Sequence, residues 1–154
     1  MCGFIIHQRD HTGVNGMQAI SEMSYRGLRT KYRGYKCWKE YDLLHTALPM
    51  VDPDPDIAIQ PIQYDDEPPS LFVGEIFNYK DFGDYPSDAH MIHSKYREEL
   101  NHEFFHKFDG FWSYVTFFND APIAYTDFLG IKPIYYRRDV EVMASEPDVL
   151  KQYG

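Results

Sequence analysis

The chain has 154 residues, 44% of them apolar and 17% aromatic, with a formal net charge of −9. That length suits one domain spanning 1–154 with a core rich in Tyr and Phe rings. The acidic balance disfavours nucleic acid, no apolar run approaches the ~20 residues of a membrane span, and no charged leader precedes a signal-like core. Two cysteines, Cys2 and Cys37, are too few for a disulfide framework, so the expectation is a soluble cytoplasmic protein with reduced thiols.

In chain order, Cys2–His7 is short, apolar and β-prone, and predicts a strand. Gly13, Asn15 and Gly16 break it, and Met17, Ile20 and Met23 recur at helical spacing, which predicts a helix over 17–25. The stretch from Tyr25 to Lys39 is locally basic and reads as a solvated hairpin or loop able to hold an anion. Tyr35–Trp38, Asp42–Leu48, Asp56–Ile62 and Leu71–Val73 read as strands. Between them, Asp52-Pro-Asp-Pro-Asp56 and Asp65-Asp-Glu-Pro-Pro69 are acidic, proline-broken turns. The first lacks the glycine and closing glutamate of a calcium loop. Asp88–Leu100 predicts a helix capped by Ser87, with Ile92, Tyr96 and Leu100 on one face. Phe111–Phe118, Ile123–Thr126, Ile134–Tyr136 and Val140–Met143 predict an antiparallel set, and Pro147 starts a terminal helix. Helices do not alternate with strands, so the order favours an α+β fold of antiparallel sheets over a doubly wound parallel sheet.

Four stretches carry candidate chemistry. If Met1 is trimmed, Cys2 joins a thiol and a free α-amine in one residue. The reference pKa of the amine, about 8, is close to the thiol's ~8.5, so the amine can activate its own sulfur. The plain alternative is a buried cysteine at a strand end. "HEFFH", with His102, Glu103 and His106, has the helical spacing of a zinc hydrolase, although Phe104, Phe105 and Phe108 beside it read as a core stripe and no third ligand follows. In "VGEIFNY", Gly74 lets backbone approach a ligand and offers an N–H to an anion, while Glu75 and Asn78 supply polar contacts; the alternative is an ordinary strand-to-helix turn. "TDFLGIKPIYY" reads as a tight turn at Gly130 and Pro133.

Taken together, these pieces resemble the class II glutamine amidotransferase domain, especially the N-terminal half of asparagine synthetases. "MCGF" is similar to the family's opening cysteine, and "YRGLR" to its His-Arg-Gly-Pro-Asp loop. "LLHTALPMVD" resembles its His-x-Arg-Leu-x-Ile-x-Asp strand, "GEIFN" its Gly-Glu-Ile-Tyr-Asn, and "SDAHMI" its Ser/Thr-Asp helix start. "FDGFWSYVTFFND", "GIKPIYY" and "ASE" at 144–146 continue the likeness in order. The resemblance implies a four-layer αββα sandwich of two antiparallel sheets, the N-terminal nucleophile hydrolase type. It implies that Cys2 attacks the glutamine side-chain amide, that Gly74 supplies an oxyanion N–H, that Asp88 holds the substrate α-amine, and that Glu75 lines the pocket. No cofactor and no metal are required.

The departures are specific. Ala47 stands where the family places an arginine for the substrate α-carboxylate, and Val73 where it places the oxyanion-hole asparagine. Leu28 and Arg29 replace Pro and Asp in the loop. Loss of one oxyanion donor lowers rate about 10²–10³-fold, and loss of a charge-assisted clamp removes roughly 1.5–3 kcal/mol of binding. Both losses predict a poor glutaminase unless Arg26, Arg29 or Asn78 substitutes. Three readings follow: a stand-alone amidotransferase subunit feeding ammonia to a separate acceptor protein, a cysteine amide hydrolase with a retargeted pocket, and a catalytically silent binding module.

Overall fold

The first strand, β1 (Gly3–Gln8), is apolar on both faces because it is covered on both faces. Phe4 and Ile6 enter one core cluster, while Ile5 between them enters another. This two-sided burial follows from the period-2 alternation of a strand placed between two layers. The computed structural model describes residues 2–9, 15–23, 32–48, 54–99 and 102–154.

Five strands form one antiparallel sheet. β2 (Arg33–Trp38) and β3 (Tyr41–Thr46) make a hairpin, and β7 (Tyr135–Arg137) and β8 (Val142–Ala144) make another. The order is β2-β3-β1-β8-β7, with Gly3 opposite Thr46 and Ile5 opposite both Leu44 and Ala144. The second sheet has three antiparallel strands in the order β4-β5-β6: β4 (Leu71–Ile76), β5 (Gly110–Phe118) and β6 (Ala121–Thr126). Asn119 and Asp120 join β5 to β6 with φ of 49° and 64°, the primed turn that matches strand twist.

The sheets face one another across Phe4, Ile6, Tyr41, Leu43, Leu71, Val73, Val115 and Phe117. On the outer side of the five-stranded sheet, α1 (Gly16–Ser21) and α4 (Pro147–Leu150) pack Ala19, Ile20, Val149 and Leu150 against Ile5, Leu44, Val142 and Ala144. On the outer side of the three-stranded sheet, α3 (Asp88–Glu99) packs Ala89, Met91, Ile92 and Tyr96 against Phe72, Ile76, Trp112 and Tyr114. The fold is therefore α+β, two packed antiparallel sheets with helices outside. The expected ring-rich core is most evident under α3, where Phe104, Phe105 and Phe108 pack against Trp112. Each such buried ring contributes about 1.5–3 kcal/mol.

One expected element is different. Asp56–Ile62 is not a strand: α2 (Pro55–Ala58) takes its first half, and Ile62 makes only an isolated bridge to Ser70. Asp54 caps the turn, its Oδ1 accepting the Asp56 N–H at 3.0 Å, and Pro55 at the first helical position has φ already set for helix. This cap outweighs the β-prone Ile57 and Ile59. It also employs one carboxylate of the acidic turn; Asp52 lies outside the described residues. α1 ends at Ser21, with Glu22 as its cap, earlier than the expected 25. Among the described residues no helix is long and apolar enough to cross a membrane.

Candidate active site

β4 is an edge strand, and its free edge can be followed residue by residue. In an antiparallel pair, alternate residues direct their N–H groups toward the partner and away from it. The Phe72 N–H turns from β5 and donates to Gln60 Oε1 at 2.6 Å, and the Ile76 N–H donates to Asp88 Oδ2 at 3.0 Å. Gly74 lies midway between them with the same parity, so its N–H points out along the same free edge. Its φ is +126°, and a Cβ built there would lie 2.0 Å from the Phe111 carbonyl oxygen. Glycine is required at this position by both conformation and space.

Asp88 opens α3 and binds the end of β4. Its Oδ1 accepts the Ala89 N–H at 2.9 Å while Oδ2 holds Ile76. Burial pushes its carboxyl up to about 6, against the pull of those two N–H donors and with a smaller push from Glu75. Glu75 is half-buried on β4, opposite Phe111. Asn78 is committed to the segment leading into β5: its amide donates to the Lys107 carbonyl at 3.0 Å and accepts the Asp109 N–H at 2.9 Å. Arg26 and Arg29 lie outside the described residues.

Cys2 is half-buried immediately before β1 and packs against the inter-sheet cluster that contains Val73. Its Sγ is 4.0 Å from the Leu48 carbonyl oxygen. Two residues on, the Phe4 N–H donates to Ser145 Oγ at 3.0 Å, and the Ser145 N–H returns to the Phe4 carbonyl at 3.1 Å. Ser145 and Val73 both line a cleft of about 250 Å³, together with Ile131, Lys132, Pro133, Tyr135 and Glu146. The cleft thus opens where the start of β1, the end of β8 and the middle of β4 converge.

One carboxylate fixes the cleft's third wall. Asp127 accepts N–H groups from Trp112 at 3.1 Å, Leu129 at 2.9 Å, Ile131 at 3.1 Å and Lys132 at 3.4 Å. These donors hold its carboxyl below the usual range despite its burial. The stretch expected to be merely a turn is therefore a rigid wall that aims residues 131–133 at the cleft.

The zinc reading is corrected by geometry. Glu103–Lys107 is a 3₁₀ helix, not an α-helix, so positions four apart lie on different faces. His102 stacks on Tyr125, with ring centroids 5.9 Å apart. Among the described residues no three His, Cys, Asp or Glu side chains could hold a metal ion.

A second polar constellation lies under α3. Ser70 Oγ is 2.7 Å from His93 Nδ1, and His93 Nε2 lies 3.8 Å from Glu67 Oε2. Ser70 and His93 are buried, with 1% and 0% exposure, so no substrate reaches the hydroxyl. Burial and nearby Arg97 lower the His93 imidazole to about 3, leaving it neutral.

A model of the family described as a glutamine amidotransferase domain matches residues 45–152. The chain belongs to that family. The matched span holds Gly74, Glu75, Asn78, Asp88 and the 131–133 wall, and it begins after Cys2. No curated protein sequence matches the chain. Sequence reasoning alone missed Lys132, Ser145 and Glu146 as cleft residues. Their signal was present in "GIKPIYY" and "ASE", but neither string contains a nucleophile or acid in an evident role, and only the pairing of β7 with β8, Tyr135 opposite Ala144, brings the two together.

Proposed function

We propose that this chain is a glutaminase-type thiol hydrolase of the N-terminal nucleophile class, with the αββα layering of the glutaminase half of asparagine synthetases. Once Met1 is removed, the Cys2 α-amine takes the thiol proton. The thiolate attacks the glutamine side-chain carbonyl carbon, and the carbonyl electrons move to oxygen, where the Gly74 N–H receives the developing charge. Collapse of this intermediate breaks the C–N bond. The α-ammonium returns a proton to the leaving nitrogen, and ammonia departs. Water then cleaves the glutamyl thioester, restoring the thiol and releasing glutamate. Asp88 holds the substrate amine, with Glu75 beside it.

The observation that carries this reading is the free edge of β4. Side chains take the N–H groups on either side of Gly74, and the Gly74 N–H between them faces the open edge. Its neighbour Val73 shares the cluster against which Cys2 packs. Neither cysteine is in a disulfide, which suits a reducing compartment such as the cytoplasm. The ammonia goes to a separate acceptor protein. The test is ammonia release from glutamine by the trimmed protein against Cys2→Ala, with intact mass reporting the removal of Met1.

A second reading, a silent binding module on the same scaffold, is favoured by one observation. Val73 is apolar and 2% exposed, so its side chain brings no second donor to the oxyanion. An electrophilic glutamine analogue separates the two: it labels Cys2 in a hydrolase and leaves a silent module unmodified.

A further inference from the structure

We propose that the turn after β6 and the end of β4 form one apolar patch through which two copies of this chain pair about a two-fold axis. This pairing is independent of the glutamine reading.

The patch leaves an unusual amount of apolar surface in water. Phe128 is 98% exposed, Leu129 74% and Ile131 53%, and Phe77, just beyond β4, is 59% exposed. Printed contacts join them into one surface. Lys132, next to Ile131, lays its ammonium 4.9 Å from the centroid of the Phe111 ring, and Phe111 meets Phe77 edge-on with centroids 5.6 Å apart. Single apolar residues scattered over a surface are ordinary, but a contiguous group that includes a whole phenyl ring in solvent marks an interaction site.

The turn is built to hold its side chains outward. The Asp127 carboxylate accepts the N–H groups of Leu129 at 2.9 Å and Ile131 at 3.1 Å, and the Gly130 N–H donates to the Asp127 carbonyl at 3.0 Å. Gly130 closes the turn with φ of +63°, in the left-handed region. Asp127 and Trp112 exchange two further hydrogen bonds, at 2.9 and 3.1 Å, which tie the turn to β5. The backbone under Phe128 and Leu129 is thus ordered before any contact is made, which lowers the entropy cost of association.

Area selects the occupant. From their exposures, the four side chains present about 500 Å² of apolar surface. Two such patches face to face remove about 1,000 Å² from water before any polar rim is counted, which reaches what a specific interface requires. The patch also suits a two-fold: Phe128 projects at one end and the Phe77–Phe111 pair lies at the other. A two-fold axis sets each projecting ring against the other copy's ring pair, so every contact is made twice. Charge opposes the pairing, since each copy carries −9. Salt screens that repulsion and leaves the apolar contact intact, so association strengthens as salt rises.

The test is analytical ultracentrifugation of the full chain over about 1–100 μM protein at low and high salt. It compares the parent with Phe128→Asp and with Phe118→Asp, a control ring that is 61% exposed at the far end of β5. Circular dichroism checks the fold of each. The parent is expected to dimerise in this range, more tightly at high salt. Phe128→Asp should weaken the dimer at least about tenfold and Phe118→Asp less than about twofold. A benzoylphenylalanine photo-cross-linker replacing Phe128 should join two copies, with attachment at 77, 111 or 128–131. A parent that stays monomeric, a dimer indifferent to Phe128→Asp, or one that salt loosens would overturn the pairing. So would a monomeric parent that sediments with phosphatidylcholine vesicles or binds a different protein through Phe128, because the patch would then have another occupant.

Discussion

One candidate constellation lies at the start of β4 under α3 and another along the free edge of β4, and they differ in access rather than in chemistry. Under α3, Ser70, His93 and Glu67 have the residue types and spacing of a nucleophile, a base and an acid, with a 2.7 Å contact between the first two. Ser70 and His93 are sealed, and burial keeps the imidazole neutral. Along the free edge of β4, Gly74 and, through Ile76, Asp88 are less tightly bonded, and Cys2 packs against the inter-sheet cluster whose Val73 lines a cleft. A Ser–His pair in a dry core excludes a substrate, and among the described residues no hydrogen bond from a carboxylate reaches His93 Nε2 to complete a relay. Chemistry requires a donor left over and space beside it.

Substitution can break that contrast at its strongest point. Gly74→Ala places a Cβ 2.0 Å from the Phe111 carbonyl and forces φ of +126° on a residue that rarely adopts it. The expected loss is about 3 kcal/mol or more of stability, seen as a large drop in the urea midpoint; a midpoint near that of the parent would contradict the close approach. Ser70→Ala sharpens the contrast. It leaves His93 Nδ1 unpaired in the core and should cost about 1–3 kcal/mol of stability, with KM and kcat for glutamine unchanged. A matching loss of activity would move the sealed triad into the mechanism.

Acidity tests the open side. Asp88, with a carboxyl near 6, is ionised above that pH and neutral below it. With Asp88 in its proposed role, amine binding should be lost as pH falls through about 6, with KM rising about tenfold per unit below it; Asp88→Asn should show a high KM without that rise. A buried imidazole on the five-stranded sheet gives a further test. His45 is fully buried, and burial lowers its imidazole to about 3, as it does for His93. The unfolded chain binds those protons near 6.5, so this contribution is fully present above 6.5 and is lost as pH falls toward 3. His45→Leu should make the fall in unfolding free energy over that window shallower by about 1.4 kcal/mol per pH unit. An unchanged slope would mean that His45 is accessible to protons in the fold.

Much of the fold was legible because the sequence alternates where strands lie between layers. Cys2–His7, Phe111–Phe118 and Asp88–Leu100 all correspond to observed elements within a residue or two. Asp56–Ile62 did not, because a local cap at Asp54 decides the backbone where β-propensity suggests a strand. Gly74 and Asp88 were visible through their motif. That Asp88 ties down the end of the strand carrying Gly74 was not, since the link is a carboxylate capping the Ile76 N–H across 12 residues. Lys132 stayed hidden for a related reason: a lysine in a turn string carries no sign of the ring, cleft and carboxylate that the fold gathers around it.

The most direct measurement is ammonia release from glutamine by protein whose intact mass shows Met1 removed. The account predicts slow but catalytic release that disappears in Cys2→Ala while that variant unfolds within about 1 kcal/mol of the parent. Equal release from the parent and Cys2→Ala, or none from a trimmed and folded parent, would contradict it.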